Sequence, residues 1–122
     1  MSQPNFKYQA FYDRQIEFLA NKDAEGLILN QYTEDAELLS FQNHIIGRNN
    51  LITYFTGYIA GLGYIKLLST DKYAEGENSL MFEATVETAG GIAKVYDSWV
   101  IRDGKIEKHF TGLLSFTPNA PA

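Results

Sequence analysis

The sequence predicts one α+β domain, residues 1–122, in which three N-terminal helices pack on a strongly curved, mostly antiparallel sheet. Apolar residues recur at helical spacing in the first half of the chain, and they alternate with polar residues at strand spacing in the second half. Helices collected at the start of a chain must cover one face of the sheet that follows. With 45% hydrophobic residues among 122, the chain can build one core but not two domains.

The helices are predicted from the positions of apolar side chains and capping residues. The first extends from Asn5 to about Asn21. The second follows Asp23, whose carboxylate can accept hydrogen bonds from first-turn amides. The apolar face of this second helix carries Leu27, Ile28 and Tyr32. The third helix is capped by Asn49 and ends at Gly61 and Gly63, because glycine commonly terminates a helix.

The strands are predicted as a short hairpin before the third helix and a four-strand meander after it. Glycine, asparagine and aspartate fall between the strands at regular intervals, as turns require. The hairpin comprises Asp35–Phe41 and His44–Ile46. The meander comprises Tyr64–Tyr73, Ser79–Thr88, Ile92–Arg102 and Lys105–Phe116. The tail from about residue 117, with Pro118 and Pro121, is expected to be frayed.

Composition and charge exclude several classes of function. The formal net charge of −5 argues against a phosphate backbone or an anionic bilayer as partner, so neither nucleic acid nor membrane is expected. The absence of cysteine removes disulfide scaffolds, thiolate zinc sites and cysteine nucleophiles, and it favours a cytoplasmic location. No apolar run reaches the roughly 18–20 residues that a transmembrane helix needs, and the first residues show no signal-peptide pattern.

Three stretches of the sequence are similar to landmarks of one known fold family. They are Asp23–Leu38, Gly47-Arg48 at the start of a helix, and Val95–Phe110, a hairpin that turns at Asp103-Gly104. Taken in order, they resemble the NTF2-like superfamily, and the last of them is similar to its SnoaL-like branch. The resemblance covers nearly the whole chain and implies a cone-shaped barrel, commonly dimeric through the outer face of its sheet. Members include steroid isomerases, polyketide cyclases, dehydratases and transport factors, so the fold alone does not decide the chemistry.

Asp97 is the first candidate for a role in chemistry, because it interrupts an apolar strand face. Its neighbours on that face are Val95, Trp99 and Ile101. A carboxyl group buried among them must find hydrogen-bond donors or take up a proton. By resemblance, Asp97 stands where the steroid isomerases keep the acid that stabilises an oxyanion. The alternative is a structural carboxylate bonded to nearby hydroxyls or amides, with no ligand.

His109 is the second candidate, on the last strand with Thr111 and Leu113. Whether it shares a face with Asp97 depends on the hairpin, because a bulge at Gly104 would shift the pairing by one residue. The resemblance favours an inward His109, and an Asp–His pair would orient the ring and provide a base near neutral pH. The alternative is a neutral histidine tied to a tyrosine hydroxyl or to the main chain.

The sequence departs from the family at the positions of its known bases. The resemblance matches Ser40 with the proton-shuttling carboxylate of the steroid isomerases and Gln15 with their phenol on the first helix, while Tyr12 lies one turn earlier. The base of the polyketide cyclases corresponds to Thr111. Unassisted hydroxyls are poor bases at neutral pH, so the resemblance does not carry either known reaction over to this chain.

No metal or cofactor is predicted. His44 and His109 are the only two histidines, they lie on distant segments, and there is no cysteine to join them. The glycines on either side of Tyr58 lack the lysine and the serine or threonine that complete a phosphate-binding loop.

The sequence therefore predicts a pocket that binds a small, largely apolar or carbonyl-containing molecule. The expected apolar walls are Phe11, Phe55, Phe82, Trp99 and Leu113. The expected polar groups are Asp97, His109, Tyr12, Gln15, Thr111 and Ser40. If the ligand is transformed, the expected chemistry is cofactor-free proton transfer of the isomerase or lyase type. His109 would then be the base, and Asp97 its orienter or an oxyanion donor.

A non-catalytic interaction protein is the alternative. Its cone would be filled by its own aromatic side chains. A homodimer would form through the outer face of the long strands, where Tyr73, Tyr96 and Val100 are expected. A cavity of roughly 300 Å³ or more would favour the pocket, and a solid core would favour the interaction protein.

Overall fold

The computed structural model describes residues 6–120. The helices in this range are α1 (Gln9–Ala20), α2 (Ala24–Gln31) and α3 (Arg48–Leu62). The strands are β1 (Tyr32–Leu39), β2 (His44–Ile46), β3 (Lys66–Glu75), β4 (Ser79–Thr88), β5 (Gly91–Arg102) and β6 (Lys105–Pro118). The predicted α+β class and the predicted order of elements are confirmed. None of the helices within residues 6–120 combines the length and the apolar composition needed to cross a bilayer.

The strands form one curved sheet that does not close into a complete barrel. Their order is β2-β1-β6-β5-β4-β3, so the hairpin of β1 and β2 extends the meander of β3 to β6 at its β6 edge. Neighbours are antiparallel except for β1 and β6, which are parallel. The helices pack on one face of this sheet, through contacts such as Phe11 with Trp99 and Phe55 with His109. This face is called the inner face below, and the opposite one the outer face.

The core lies between the helices and the inner faces of β4 and β5. On β4, the buried residues alternate with less buried ones, as predicted for a strand with one dry face. Trp99 of β5 is the largest fully buried side chain, and the rings of Phe11 and Phe82 stand edge-on to it at 5.7 and 5.2 Å. Burying one such side chain stabilises the fold by about 1.5–3 kcal/mol. These aromatic contacts therefore hold α1 against the sheet.

The first two helices differ from prediction at their ends. Asp23 caps α2 as predicted, with its carboxylate accepting from a first-turn amide at 2.9 Å. Helix α1 begins only at Gln9, and the predicted start at Asn5 lies outside the described residues. Tyr32 is not helical; it has extended backbone and begins β1. The guanidinium of Arg48 donates a hydrogen bond to the Tyr32 carbonyl at 2.9 Å. This bond gives a partner to a carbonyl that has none within the helix.

Two further predictions are wrong. Helix α3 is capped by Gly47 and not by Asn49, because the chain enters the helix with φ of 90° at Gly47, a region that favours glycine. The tail does not fray at residue 117, because β5 extends to Gly91 and gives Pro118 a pairing partner. Proline is tolerated there because the end of a strand needs no further donor. Pro121 lies outside the described residues.

The outer face of the sheet carries an exposed apolar patch. Met81, Phe110 and Leu114 are 58%, 38% and 51% exposed. These three residues are called the outer patch below. Tyr96 lies on the same face, with its ring over Gly112, where a Cβ atom would come within 2.3 Å of it. Tyr73, expected on this face, instead lies opposite Phe82 on the inner side and packs against Tyr12.

A carboxylate on β3 caps the start of α1. The backbone amides of Lys7 and Tyr8 donate to the two oxygens of Glu75 at 2.8 and 2.9 Å. Tyr8 occupies the cap position, and its own side chain makes no capping bond. The hydroxyl of Tyr73 also donates to Glu75. Because amides at the start of a helix have no partner inside it, this contact satisfies two donors and ties α1 to the edge of the sheet.

Replacing Glu75 by alanine is expected to lower the free energy of unfolding by about 1 kcal/mol, the usual effect of losing a helix cap. The measurement is the urea midpoint followed by circular dichroism. Glu77→Ala is the matched control, because it removes the same charge nearby and because only the backbone carbonyl of Glu77 takes part in hydrogen bonds within the described range. An equal loss in both variants would contradict a capping role.

A second carboxylate, Glu37 on β1, ties three strands together. It accepts a hydrogen bond from Lys108 of β6 at 2.6 Å and pairs with His44 of β2. These contacts hold the pKa of the Glu37 carboxyl below its usual value of 4.5, and the hydrogen bond from Lys108 has a larger effect than that from His44. Because the folded-state pKa is lowered, the contact stabilises the protein above the unfolded-state value and loses its effect as the pH falls through the folded-state pKa.

Replacing Glu37 by glutamine should therefore lower the urea midpoint at about pH 7 and change it little at a pH below the folded-state pKa, where the wild-type carboxyl is protonated too. Glu34→Gln is the control, since Glu34 lies exposed on the same strand. The assignment fails if Glu37→Gln is as destabilising at the lower pH as at the higher one, or if Glu34→Gln shows the same pH dependence.

Candidate functional site

A cavity of about 90 Å³ lies between α1, α3 and the inner faces of β4, β5 and β6. Its volume is below the roughly 300 Å³ expected of a preformed ligand pocket, but the interior is not solid. The polar side chains that line it are Gln15, Tyr54, Tyr58, Asp97, His109 and Thr111. The apolar lining includes Phe55, Phe82, Val95 and Trp99. Neither a large pocket nor a filled core, the two outcomes considered from the sequence, describes this interior.

The hairpin between β5 and β6 turns without a bulge at Gly104. Asp103 and Gly104 have positive φ values of 53° and 77°, as a tight two-residue hairpin turn requires. The residues on either side of them, Arg102 and Lys105, pair directly. The turn itself therefore does not shift the register.

A β-bulge at Glu107 shifts the register instead. Ile101 pairs with Ile106, but Val100 pairs with Lys108, so Glu107 has no partner on β5 and the register is shifted by one residue on the side of the bulge away from the turn. As a result, His109 lies opposite Trp99. Without the extra residue, His109 would lie opposite Ser98, on the outer face. The bulge thus brings His109 to the same face as the carboxyl of β5.

Asp97 and His109 are in contact. Nε2 of His109 lies 2.6 Å from Oδ1 of Asp97, and the two side chains are 5% and 13% exposed. The other ring nitrogen, Nδ1, lies 2.8 Å from the hydroxyl of Tyr32. His109 therefore combines the two arrangements considered from the sequence, a pair with Asp97 and a bond to a tyrosine hydroxyl.

The partners of the imidazole ring bear on which of its nitrogens donates. The side-chain amide of Gln15 donates to the Tyr32 oxygen at 2.9 Å. Burial raises the pKa of Tyr32, so its phenol keeps its proton and donates it to Nδ1 of His109. For a neutral ring, this direction makes Nδ1 the acceptor and Nε2 the donor toward Oδ1 of Asp97.

The predicted role of His109 as the base needs a ring nitrogen with a free lone pair. Both ring nitrogens are engaged here, Nε2 with Asp97 and Nδ1 with Tyr32. Asp97 differs, because Oδ1 accepts from His109 while Oδ2 has no hydrogen-bond partner among the described residues. Oδ2 of Asp97 is therefore the basic atom available to a molecule in the cavity, and His109 offsets the cost of burying the carboxylate.

Two tyrosines of α3, absent from the predicted site, also line the cavity. Tyr54 and Tyr58 lie one helical turn apart, with ring centroids separated by 5.9 Å. Burial, and then the charge of Asp97, raises the pKa of Tyr54, and the same causes raise that of Tyr58 to about 12. Both phenols stay protonated at neutral pH, and neither hydroxyl is engaged within the described part of the chain. The sequence pattern that could have identified them is the spacing of two tyrosines four residues apart on one helix.

The charge of the cavity is that of Asp97, since no lysine or arginine lines it within residues 6–120. A negatively charged interior disfavours anionic ligands. Over the same range, no group of three or more histidine, aspartate or glutamate side chains is arranged to hold a metal ion. His44 instead contacts Glu37, outside the cavity lining.

The indole N–H of Trp99 is buried and has no hydrogen-bond acceptor among the residues described. The rings of Phe82, Phe11 and His109 stand edge-on to the indole, with centroids 5.2, 5.7 and 5.8 Å away. A buried donor without an acceptor costs about 1–3 kcal/mol. Trp99 therefore adds a second unused polar atom, two residues from Asp97 on the same strand face.

Seven of the predicted site residues line the cavity: Gln15, Phe55, Phe82, Asp97, Trp99, His109 and Thr111. Phe11 and Tyr12 do not, because both are buried in the core below it. Phe11 packs edge-on against Trp99. The hydroxyl of Tyr12 is bonded to Oγ1 of Thr70 at 2.7 Å, so it is turned toward β3.

Ser40 and Leu113 also lie outside the cavity lining. Strand β1 ends one residue before Ser40, and the Ser40 hydroxyl accepts from the amide of Asn43 at 3.0 Å, so it closes the hairpin turn. Leu113 lies opposite Val95 but is 61% exposed, because residues 113–120 are all exposed and extend beyond the cover of the helices.

No protein-family model matches the sequence, and no curated protein matches it either. Solved structures do match. An NTF2-like protein from Anabaena variabilis is similar with a TM-score of 0.77 and 18% identity, over 94% of this chain and 95% of the other. An NTF2-like protein of unknown function from Burkholderia xenovorans gives 0.75 and 19%, over 94% and 88%. A candidate polyketide cyclase from Sinorhizobium meliloti gives 0.71 and 13%, over 84% and 94%.

These structures share the architecture of the chain over nearly its whole length. At identities of 13–19%, the likeness concerns the fold and carries no activity with it. The predicted resemblance is confirmed at that level, and the chain has the NTF2-like fold.

Proposed function

We propose that the protein binds a small, neutral, largely apolar molecule with a carbonyl group, and that Asp97 moves a proton on the carbon next to that carbonyl. The observation that carries the proposal is the unengaged Oδ2 of Asp97 in a cavity with aromatic walls. Oδ1 is held by the Nε2–H of His109, so the carboxylate is oriented without losing its second oxygen. His109 acts as a positioning residue.

The proposed step is a cofactor-free proton transfer of the isomerase or lyase type. Oδ2 of Asp97 takes a proton from the carbon beside the carbonyl, the C–H electron pair forms a C=C bond, and the carbonyl π electrons move to oxygen. The hydroxyls of Tyr54 and Tyr58 are the donors available to the resulting enolate oxygen. In an unsaturated ketone, the carbonyl re-forms, the electron pair moves along the conjugated system, and Asp97 returns the proton to its far carbon, which shifts the C=C bond and isomerises the molecule. In a ketone with a leaving group one carbon further on, the carbonyl re-forms, the C=C bond forms toward that carbon, and the group departs with its electron pair and takes the proton from Asp97, which completes a lyase reaction and regenerates the carboxylate.

Size and charge narrow the choice of ligand. A cavity of about 90 Å³ admits only a small molecule unless lining side chains move, and Tyr58, the most exposed residue of the lining on α3, is the side chain suited to such movement. Phosphates and carboxylates would meet Asp97 with no cation to pair with. The fold shared with a candidate polyketide cyclase is consistent with a ligand-binding role.

Replacing Asp97 by asparagine tests the base. The probes are small neutral cyclic ketones and enones in D₂O, and the measurement is the exchange of their α-hydrogens for deuterium, followed by proton NMR. General-base catalysis contributes at least about a hundredfold, so Asp97→Asn should lose at least that factor. Asp103→Asn is the matched control, because asparagine tolerates the positive φ of that turn position.

The proposal is refuted if Asp97→Asn keeps more than about a tenth of the wild-type exchange rate. It is also refuted if the wild-type protein accelerates exchange of no probe in the panel above the rate in buffer.

A homodimeric interaction protein is the second candidate, and the outer patch is the observation that favours it. Isolated exposed apolar side chains are ordinary, but Met81, Phe110 and Leu114 share one face of the sheet. Beside them, the flat ring of Tyr96 covers Gly112. We propose that two copies of the chain pair through this face. A dimer of this kind is compatible with a ligand in the inner cavity.

The double variant Met81→Glu, Leu114→Glu should convert a dimeric wild-type protein to a monomer, because it brings four like charges together at the interface. Light scattering gives the mass, and circular dichroism checks that the fold is kept. Leu29→Glu is the control, since Leu29 is an exposed leucine on α2 and not on the outer face of the sheet. A monomeric wild-type protein, or a double variant that stays dimeric, would exclude this interface.

Two finer assignments belong with these proposals. The hairpin Val95–Phe110 supports placing the chain in the SnoaL-like branch of its fold. The absence of cysteine supports a cytoplasmic location, where disulfides are rare.

A further inference from the structure

A chain of buried side chains leads from the backbone of α1 to the carboxylate of the candidate site. It begins at the carbonyl of Phe11, which accepts from Nε2 of Gln31 at 2.9 Å. Nε2 of Gln31 also lies 3.5 Å from Oε1 of Gln15, whose own Nε2 lies 2.9 Å from the Tyr32 oxygen. Tyr32 contacts Nδ1 of His109, and the ring continues the chain to Asp97. Gln31, Gln15, Tyr32 and His109 are all buried.

The direction of every bond in this chain is determined by its first member. A backbone carbonyl can only accept, so Gln31 must turn its NH₂ group toward Phe11. The second hydrogen of that NH₂ group then points toward the side-chain oxygen of Gln15. Gln15 is thereby left with its own NH₂ group facing Tyr32. Amide orientations that are otherwise ambiguous are thus set by a group whose polarity is known.

The same direction continues to the imidazole ring. With Gln15 donating to its oxygen, the phenol of Tyr32 has one hydrogen to give, and Nδ1 of His109 is the acceptor within reach. The proton of the neutral ring then lies on Nε2, aimed at Oδ1 of Asp97. If Gln15 were reversed, its oxygen would accept from Tyr32, and Nδ1 would become a donor. A neutral ring would then present a bare Nε2 to the carboxylate, and the two lone pairs would repel.

We propose that Gln31 is a positioning residue that, through Gln15 and Tyr32, holds the His109 proton on Nε2 and so keeps Oδ2 of Asp97 free. The value of this arrangement for catalysis rests on the proposed proton transfer, but the arrangement itself does not. Gln31 is outside the cavity lining, so its side chain does not face a molecule in the cavity. It therefore affects the site only through the orientation of Gln15.

The test is the tautomer of His109, read from ¹⁵N NMR of protein labelled at histidine, without ligand. The wild-type ring should show a protonated Nε2 and an unprotonated Nδ1. The chain has two histidines, so His44→Asn assigns the signals of His109 by elimination. A wild-type ring with its proton on Nδ1 would overturn the proposal without any variant of Gln31 being needed.

Gln31→Leu removes the group that orients Gln15. The ratio of the two tautomers should move toward the Nδ1–H form by about fivefold, the effect of one hydrogen bond. Gln31→Met, which keeps the length of the side chain, is the second variant in case leucine disturbs folding, and it should shift the ratio in the same direction. Gln42→Leu is the control, because Gln42 lies exposed in the turn after β1. Unchanged His109 spectra in both Gln31 variants would overturn the proposal.

The α-hydrogen exchange assay separates this proposal from the proposed function. A shifted tautomer together with slower exchange in Gln31→Met supports both. A shifted tautomer in a protein whose wild type catalyses no exchange supports the positioning role and refutes the proposed function. An unshifted tautomer with active wild-type exchange refutes the positioning role alone.

Discussion

The bulge at Glu107 is the constraint on which the interior of this protein depends. One extra residue in a strand exchanges its two faces for all the residues that follow. Here the exchange turns His109 inward, opposite Trp99, and turns Lys108 outward, where it reaches Glu37. Without it, Lys108 would lie opposite Trp99 on the inner face, which would bring an ammonium group into the interior and leave Glu37 without its partner on β6. Glu107 itself pairs with Arg102 beside the hairpin turn, which suits the extra residue to its position.

The interior holds an acid, an imidazole, a phenol and two amides because each of these groups is the hydrogen-bond partner of the next. Two polar groups of the interior have no hydrogen-bond partner among the described residues: Oδ2 of Asp97 and the indole N–H of Trp99. Stability alone would favour removal of the indole N–H, because a buried polar group without a partner destabilises a core. Both belong to residues that line a cavity, which is the difference between an interior built to receive a molecule and one filled by its own side chains.

Much of the fold was predictable because local periodicity carries it. The alternation on β4 and the capping by Asp23 depend on neighbouring residues, and both were predicted. The helix cap at Gly47 was missed because it depends on a backbone angle that the sequence does not reveal. The sequence allowed His109 to face either side of the sheet, and the bulge at Glu107 determines that it faces inward. The tautomer of His109 could not be predicted from the sequence, because it depends on Tyr32, which lies 77 positions away along the chain.

Trp99 is the only tryptophan in the chain, and it forms part of the cavity wall. The long-wavelength emission of the protein therefore originates at one place, next to the imidazole and the aromatic rings of the interior. A guest that enters, or a neighbouring group that changes its charge, alters the surroundings of this fluorophore directly. Without any added label, the protein carries an optical reporter at the place where a search for its natural ligand would begin.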